Sequence, residues 1–192
     1  RPLLALLPGS RRAEVARLAE PMVAAGSGLL REHPSWQLGL PVANPGCDAL
    51  LAPQLSANPA LRTLDGRATE LLAAADLAIV ASGTATLEAA LVGVPMLVAY
   101  RLSPLTYWLV QRFKLLKSRW FSLPNALAGR ELVPELAQDA VTGEGLLKAL
   151  TGLASDPKAQ QRQREGFAVL REQLGGNAAD RAARAVLAAC TQ

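Results

Sequence analysis

The sequence predicts an α/β fold, a Rossmann-like doubly wound parallel sheet that is followed by C-terminal helices. Short, continuously apolar runs alternate along the chain with longer stretches of helical periodicity, and turn-forming residues separate them. The predicted strands are residues 3–7, 37–41, 61–64, 77–81 and 96–99. Strands that are apolar along their whole length are typical of parallel sheets covered by helices on both faces, with right-handed crossover connections.

Helices are predicted between these strands and again in the last third of the chain. They cover residues 13–32, a short segment ending at Leu55, and residues 67–75, 85–92, 142–154, 157–174 and 178–189. Pro21, Gly26 and Gly28 predict a kink in the first helix. Residues 122–125 are predicted to form a loop. We assign residues 1–192 to one domain, in which residues 142–192 form a helical C-terminal extension.

The composition is that of a globular protein with a mild positive charge. The chain has 192 residues, of which 51% are hydrophobic and 19% charged, and its net charge is +4. That charge fits an anionic ligand or an anionic membrane surface, and equally ordinary solubility. Two cysteines far apart and a single histidine argue against a zinc site and a disulfide framework, which suits a reducing cytosol. Apolar runs fall short of the roughly 20 residues needed to span a bilayer.

A glycine turn after the fourth predicted strand is a candidate phosphate-binding element. Ser82-Gly83-Thr84 leads directly into a helix, whose free N–H groups and positive dipole end favour an anion. The alternative is that Ser82 or Thr84 simply caps the helix. Glu88 lies one turn further along and could accept hydrogen bonds from two ribose hydroxyls, or it could be an ordinary solvated glutamate.

A second candidate element follows the first predicted strand. Pro8-Gly9-Ser10-Arg11-Arg12 supplies a flexible backbone and two guanidinium groups, which suit bidentate binding of phosphate oxygens. Because the carboxyl ends of parallel strands share one edge, this loop and the Ser82–Thr84 turn should lie together. The chain contains neither GxGxxG after this strand nor GxxxxGK[ST], which argues against hydride transfer and P-loop hydrolysis.

Two further features have competing interpretations. The Asn125 amide can donate to and accept from a ligand, although a Pro-Asn pair is also common in turns and helix caps. Residues 104–117 combine aromatic, apolar and basic side chains, which suits either a lipid interface or packing between domains. The candidate residues for membrane or acyl-chain contact are Tyr107, Trp108, Arg112, Phe113, Lys114 and Lys117.

Four sequence blocks together resemble the lipid A disaccharide synthase family of GT-B glycosyltransferases. They are Leu6–Val15, Ala81–Glu88, Val98–Leu109 and Ser122–Leu136. The Ser-Gly-Thr…Glu block is shared with many two-domain glycosyltransferases. The Ser-Leu-Pro-Asn…Ala-Gly-Arg-Glu block is much more specific, and the order and spacing of the blocks match across nearly the whole chain.

The resemblance implies the C-terminal, donor-binding domain of an inverting hexosyltransferase whose N-terminal acceptor domain is absent from this chain. The family transfers 2,3-diacylglucosamine from its UDP conjugate to 2,3-diacylglucosamine 1-phosphate, forming a β-1,6-linked disaccharide in lipid A biosynthesis. This takes place at the cytoplasmic face of the inner membrane of Gram-negative bacteria, so a peripheral membrane location is implied. No cofactor and no metal ion are expected, and a homodimer is possible.

The resemblance also implies which residues contact UDP. They are Arg11, Gly83, Thr84, Glu88 and Asn125, with Ser10, Ser82 and Glu131 as further candidates. No catalytic base is identified in this chain, because the base is expected in the N-terminal half. We therefore expect that the chain does not turn over alone.

Two alternative functions remain open from the sequence. One is another UDP-sugar enzyme of the same fold, such as a UDP-N-acetylglucosamine transferase or epimerase, against which the Asn125–Leu136 block argues. The other is a non-catalytic, membrane-associating module whose Rossmann-like shell is only a scaffold. This second alternative predicts that the chain binds liposomes and has no affinity for UDP.

Overall fold

A computed structural model describes residues 1–42, 45–103, 112, 119–175, 183, 184, 186 and 187. Its strands are β1 (Leu3–Leu7), β2 (Gln37–Val42), β3 (Leu61–Asp65), β4 (Leu77–Ala81), β5 (Met96–Tyr100) and β6 (Glu135–Ala137). Its helices are α1 (Arg12–Glu32), α2 (Asp48–Ala57), α3 (Ala68–Ala74), α4 (Thr84–Val92), α5 (Leu123–Ala128), α6 (Gly143–Ala154) and α7 (Pro157–Leu174). Short 3-10 turns occupy Pro45–Cys47 and Gln138–Ala140.

The strands form one parallel sheet in the order β3-β2-β1-β4-β5-β6. The chain builds β1, β2 and β3 in one direction, then returns to place β4 beside β1 and continues the other way. The predicted doubly wound Rossmann-like sheet is therefore confirmed. The direction of winding reverses between β1 and β4, which is where such sheets bind ligands.

Each central strand is buried on both faces, as its continuous apolar run predicts. Leu4 and Leu6 of β1 belong to one core, with α1, α2 and α6, whereas Ala5 and Leu7 belong to a second core, with α3, α4 and α7. The largest buried side chain of the second core is Phe167 from α7. Both C-terminal helices thus complete the cores of the sheet, one on each side.

Helix α1 is continuous across Pro21, Gly26 and Gly28. The two glycines lie where α1 approaches its neighbours most closely. A Cβ atom at Gly26 would stand 3.1 Å from Leu38, and one at Gly28 would stand 2.5 Å from Leu147. Their role is therefore to let the sheet and α6 pack tightly against the helix.

The prediction of a loop at residues 122–125 is wrong, because α5 begins there. Ser122 is the N-cap and accepts a hydrogen bond from the Asn125 N–H (3.5 Å), Pro124 lies in the first turn, and Gly129 ends the helix with φ +65°. These are the ordinary start and stop signals of a helix. The helix is only six residues long, so no hydrophobic periodicity marked it.

Two segments that the sequence predictions mention lie mostly outside the described residues. The helix predicted at 178–189 lies outside the described residues, apart from 183, 184, 186 and 187, which are helical. Residues 104–111 and 113–118 also lie outside them. In the described part of the chain no helix has the length and apolar character needed to cross a membrane.

Helix α7 is fastened to the sheet by one buried amide. The Oε1 atom of Gln163 accepts from the Met96 N–H (2.7 Å), and its Nε2 donates to the Met96 carbonyl (3.2 Å). Gln163 is only 3% exposed, so both hydrogen bonds are shielded from water. This amide caps the backbone at the start of β5.

We expect Gln163→Met to lower the free energy of unfolding by about 1–3 kcal/mol, because it leaves the buried polar groups of Met96 without their partner. Denaturant unfolding followed by circular dichroism measures the loss. Gln161→Met, on the exposed face of the same helix, is the matched control and should change little. Equal losses in the two variants would contradict the assigned role of Gln163.

Candidate functional site

The site is a pocket at the point where the winding of the sheet reverses. Leu7 of β1 pairs with Val80 of β4, so the loops that follow the two strands leave the sheet side by side and diverge. The pocket between them has a volume of about 440 Å³. We call it the switch-point pocket; its polar and charged lining residues are Ser10, Arg11, Glu14, Ser82, Thr84 and Glu88.

Six of the eight residues predicted to contact UDP meet in this pocket. They are Ser10, Arg11, Ser82, Gly83, Thr84 and Glu88. They come from segments about 70 residues apart in sequence, and the parallel sheet alone brings them together. The structure places Asn125 and Glu131 elsewhere.

Gly83 makes the turn from β4 into α4. Its φ is +148° and its ψ is −162°, a conformation essentially restricted to glycine. Among the described residues, and apart from Gly83 and its two chain neighbours, no atom lies within 4 Å of where a Cβ would stand, so the residue faces open space. The first N–H groups of α4 have no intrahelical acceptor, and with the helix dipole they form a positive edge suited to a phosphate.

Two hydroxyl groups hold this turn from behind. Thr86 is fully buried, and its Oγ1 donates to the Gly83 carbonyl (2.7 Å). The Ser82 hydroxyl donates to the carbonyl of Phe121, which precedes α5. Because both hydroxyls bind protein groups, we assign them to support of the turn, with the backbone N–H groups left to face the pocket.

Arg11 stands at the opposite wall with its guanidinium largely in water. Its side chain is 83% exposed and pairs with Glu14 at 2.8 Å, while the Glu14 carboxylate also accepts from the Arg11 N–H (3.4 Å) at the start of α1. An ion pair this exposed contributes little stability, so a phosphate could replace Glu14 beside the guanidinium at small cost. Arg12 points elsewhere and donates to the Gly46 carbonyl (2.5 Å).

Glu88 lies one turn into α4, on the pocket wall and exposed to water. In the described residues the structure gives its carboxylate no ion pair. It follows the Gly83 turn on the same side of the helix, which places an acceptor for hydroxyl groups next to the phosphate-binding edge. This is the arrangement expected for a ribose diphosphate.

Asn125 has a different role from the ligand contact expected from the sequence. It is fully buried; its Oδ1 accepts from the N–H groups of Leu132 (2.7 Å) and Val133 (2.9 Å). Its Nδ2 donates to the Val133 carbonyl (2.9 Å) and to Glu135 (2.8 Å). With both ends of the amide engaged inside the protein, none of it faces the switch-point pocket, and we assign it a positioning role.

Glu131 lies away from the switch-point pocket, near the amino ends of the strands. It is exposed and lines a separate cavity of about 270 Å³ together with Pro134 and Gln163. Pro134 precedes β6 and Gln163 caps the start of β5, so this cavity lies at the amino ends of the strands. The resemblance of its block implied a UDP contact, and the structure places Glu131 away from the other candidate residues.

Glu135 is the residue that sequence reasoning missed. Its carboxylate accepts hydrogen bonds from the Phe121 N–H (2.9 Å), the Ser122 N–H (2.9 Å), the Ser122 hydroxyl (2.6 Å) and the Asn125 amide (2.8 Å). Beside it the rings of Tyr100 and Phe121 stack with centroids 4.7 Å apart. Burial raises the pKa of the Tyr100 phenol.

Most of the aromatic and basic stretch predicted to meet lipid belongs to residues that the structure does not describe. Tyr107, Trp108, Phe113, Lys114 and Lys117 lie outside the described residues. Arg112 is described and is exposed, as a lipid-facing cation would be. The membrane contact therefore remains a prediction.

Comparison with known families decides the classification. The sequence profile of the lipid-A-disaccharide synthetase family matches residues 1–189. The chain belongs to this family. Within the matched residues, the structure shows Ser122 and Asn125 bound to Glu135.

Curated relatives support the family assignment at high identity. The chain is 45% identical over 195 residues to a lipid-A-disaccharide synthase of Xanthomonas campestris, covering 99% of this chain and 44% of the relative. It is 47% identical over 188 residues to the synthase of Pseudomonas putida, covering 97% of this chain and 49% of the relative. The chain therefore spans about half the length of the family members it matches.

Solved structures share the fold at low sequence identity. A putative UDP-N-acetylglucosamine 2-epimerase from Listeria monocytogenes has a TM-score of 0.59 and 17% identity, covering 90% of this chain and 44% of its own. The Escherichia coli ADP-heptose heptosyltransferase II has a TM-score of 0.56 and 16% identity, covering 80% of this chain and 46% of its own. These likenesses support the GT-B fold class.

Substitution of Gly83 tests whether the backbone of this turn requires glycine. We expect Gly83→Ala to lower the free energy of unfolding by about 1–3 kcal/mol, because a Cβ is strained at φ +148° although it would touch nothing. Gly152→Ala is the matched control, since its Cβ also meets nothing but lies in helix α6. It should raise stability by about 0.5–1 kcal/mol. The same sign for both changes in denaturant unfolding would refute the strained turn.

Proposed function

We propose that this chain is the donor-binding domain of a lipid A disaccharide synthase and holds UDP-2,3-diacylglucosamine in the switch-point pocket. The observation that carries the proposal is the convergence of Arg11, Gly83, Thr84 and Glu88 on one pocket where the sheet reverses its winding. Membership of the family supports the choice of donor. A UDP-N-acetylglucosamine 2-epimerase is the weaker alternative, because its likeness is one of fold at 14–17% identity.

In the proposed complex each part of the nucleotide meets the group that suits it. The diphosphate lies against the Thr84 and Ala85 N–H groups at the start of α4, and Arg11 approaches it from the other wall in place of Glu14. Glu88 accepts hydrogen bonds from the two ribose hydroxyls. The diacylated sugar extends out of the pocket toward the acceptor.

The transfer itself is a single displacement at the donor sugar. The acceptor 6-hydroxyl oxygen forms a bond to the anomeric carbon as the bond between that carbon and the UDP oxygen breaks, which inverts the configuration. The hydroxyl proton passes to a general base, which we place in the part of the family members that this chain does not span. Arg11 and the N-terminus of α4 stabilise the negative charge that develops on UDP. The chain alone is expected to bind donor without turning over.

Donor and acceptor both carry acyl chains, so we place the protein at the cytoplasmic surface of the inner membrane. Residues 104–117 would supply the contact, because their aromatic rings and cations suit the headgroup region of an anionic bilayer. We also propose that the protein forms a homodimer.

Calorimetric titration of the chain with UDP tests the pocket. We expect saturable binding that Arg11→Ala weakens roughly tenfold or more, since a hydrogen-bonded charge pair with phosphate is lost. Glu88→Gln should weaken binding roughly fivefold, because one acceptor for the ribose becomes a donor.

The matched controls are Arg31→Ala and Glu20→Gln, both exposed positions on α1. Arg31 lies about 30 Å from Arg11 along the helix. Neither should alter UDP binding. A folded wild-type chain with no affinity for UDP, or equal losses in test and control variants, would reject the pocket as the donor site.

Co-sedimentation with vesicles tests the membrane contact. Against vesicles of phosphatidylcholine and phosphatidylglycerol we expect the triple change Trp108→Ser, Lys114→Gln and Lys117→Gln to weaken binding roughly tenfold. Lys148→Gln with Lys158→Gln removes two exposed cations elsewhere and should have a much smaller effect. Equal binding by wild type and triple variant would show that residues 104–117 do not meet the bilayer.

A further inference from the structure

The Glu135 carboxylate is the centre of a network of hydrogen bonds that lies outside the switch-point pocket. Its Oε1 accepts from the Ser122 N–H, the Ser122 hydroxyl and the Asn125 amide, and its Oε2 accepts from the Phe121 N–H. Among the described residues it has no cationic partner. Four hydrogen bonds compensate the partly buried charge, so the carboxylate acts as a multiple acceptor for one short stretch of backbone.

Asn125 fastens the same stretch from its other side. Through the N–H groups of Leu132 and Val133 and the Val133 carbonyl, its amide ties α5 to the backbone just before β6. Glu135 belongs to β6, which pairs with β5 through Val98. The start of α5 is thereby fixed both to β6 and to the backbone just before β6.

This fixed segment in turn holds the glycine turn of the switch-point pocket. The Phe121 carbonyl accepts from the Ser82 hydroxyl, and the Leu123 N–H donates to Thr86 Oγ1 (3.4 Å). Thr86 Oγ1 itself donates to the Gly83 carbonyl. The contacts therefore run without a gap from Glu135, through the start of α5, to both sides of Gly83.

We propose that Glu135 is a positioning residue for donor binding, which sets the Ser82–Thr84 turn by holding residues 121–125 against it. The inference rests on the proposed function, because its value to the reaction depends on the turn binding the UDP diphosphate. Glu135 touches no ligand; it acts through Ser82 and Thr86. The strained Gly83 backbone needs such support, since the surroundings must over-determine a conformation of this kind.

A purely local role for Glu135 makes a different prediction. If the carboxylate only stabilises its own segment, its loss lowers stability and disturbs residues 121–135 but leaves the glycine turn and the pocket unchanged. Amide chemical shifts in the ligand-free chain separate the two, because they report on Ser82, Gly83 and Thr84 one by one.

The test variant is Glu135→Gln, which keeps the shape and one acceptor but turns the other oxygen into a donor facing an N–H group. We expect the amide signals of Ser82, Gly83 and Thr84 to shift without ligand, and affinity for UDP to fall roughly tenfold by calorimetry. Glu172→Gln, an exposed carboxylate on α7, is the matched control and should alter neither.

Shifts confined to residues 121–135, with UDP affinity as in the wild type, would overturn the proposal. Should the wild-type chain fail to bind UDP, the proposed function falls, while the ligand-free shifts still decide whether Glu135 governs the turn. The two failures are thus distinguishable.

Thr86→Val keeps the inference testable if Glu135→Gln does not fold. It replaces a fully buried residue with one of nearly the same shape and removes only the hydroxyl link to Gly83 and Leu123. It should move the same three amides and weaken UDP binding. Where both variants fold, the double variant should lose less affinity than the product of the single losses, because the two residues act through one segment. Independent effects would count against the chain of contacts.

Discussion

Side-by-side pairing of β1 with β4 is the constraint on which the rest of the structure depends. It makes the chain reverse its winding at that point, so the connections on either side must leave on opposite faces of the sheet and cannot close the space between them. Leu7, the last residue of β1, pairs with Val80, one residue before the end of β4, so the loop that contains Arg11 faces the Gly83 turn. The pocket therefore follows from the strand order, because the loops after β1 and β4 both lie at the carboxyl ends of the strands.

The Ser122–Leu136 block lies next to the switch-point pocket without lining it. Ser122, Asn125 and Glu135 bind one another and the backbone around them, and their contact with the pocket passes through Ser82 and Thr86. A glycine turn offers a ligand its bare backbone but cannot hold itself rigid. The polar network supplies that rigidity from a part of the chain about 40 residues further along.

Strand and helix order could be predicted because the central strands, such as residues 3–7 and 77–81, are apolar without interruption. The meeting of Arg11 with Gly83 and Glu88 followed from the common direction of parallel strands. Asn125 could not be placed, since an amide that suits a ligand suits backbone groups equally well. Strand β6 has only three residues, all half-buried, so its sequence shows no alternation of apolar and polar residues. The hydrogen-bond donors to Glu135 lie 10 to 14 residues away in the chain. Such hydrogen bonds depend on tertiary packing, and no periodicity in the sequence predicts them.

The pair of hydrogen bonds between Gln163 and Met96 has a consequence for folding during synthesis. The two residues are 67 positions apart, and Phe167, which fills the second core, comes later still. At roughly 5–20 residues per second, about 3 to 13 seconds of synthesis separate Met96 from Gln163. During that interval the second core lacks α7, so the apolar residues that Phe167 and Leu170 cover in the finished domain stay accessible to solvent and to chaperones on the ribosome.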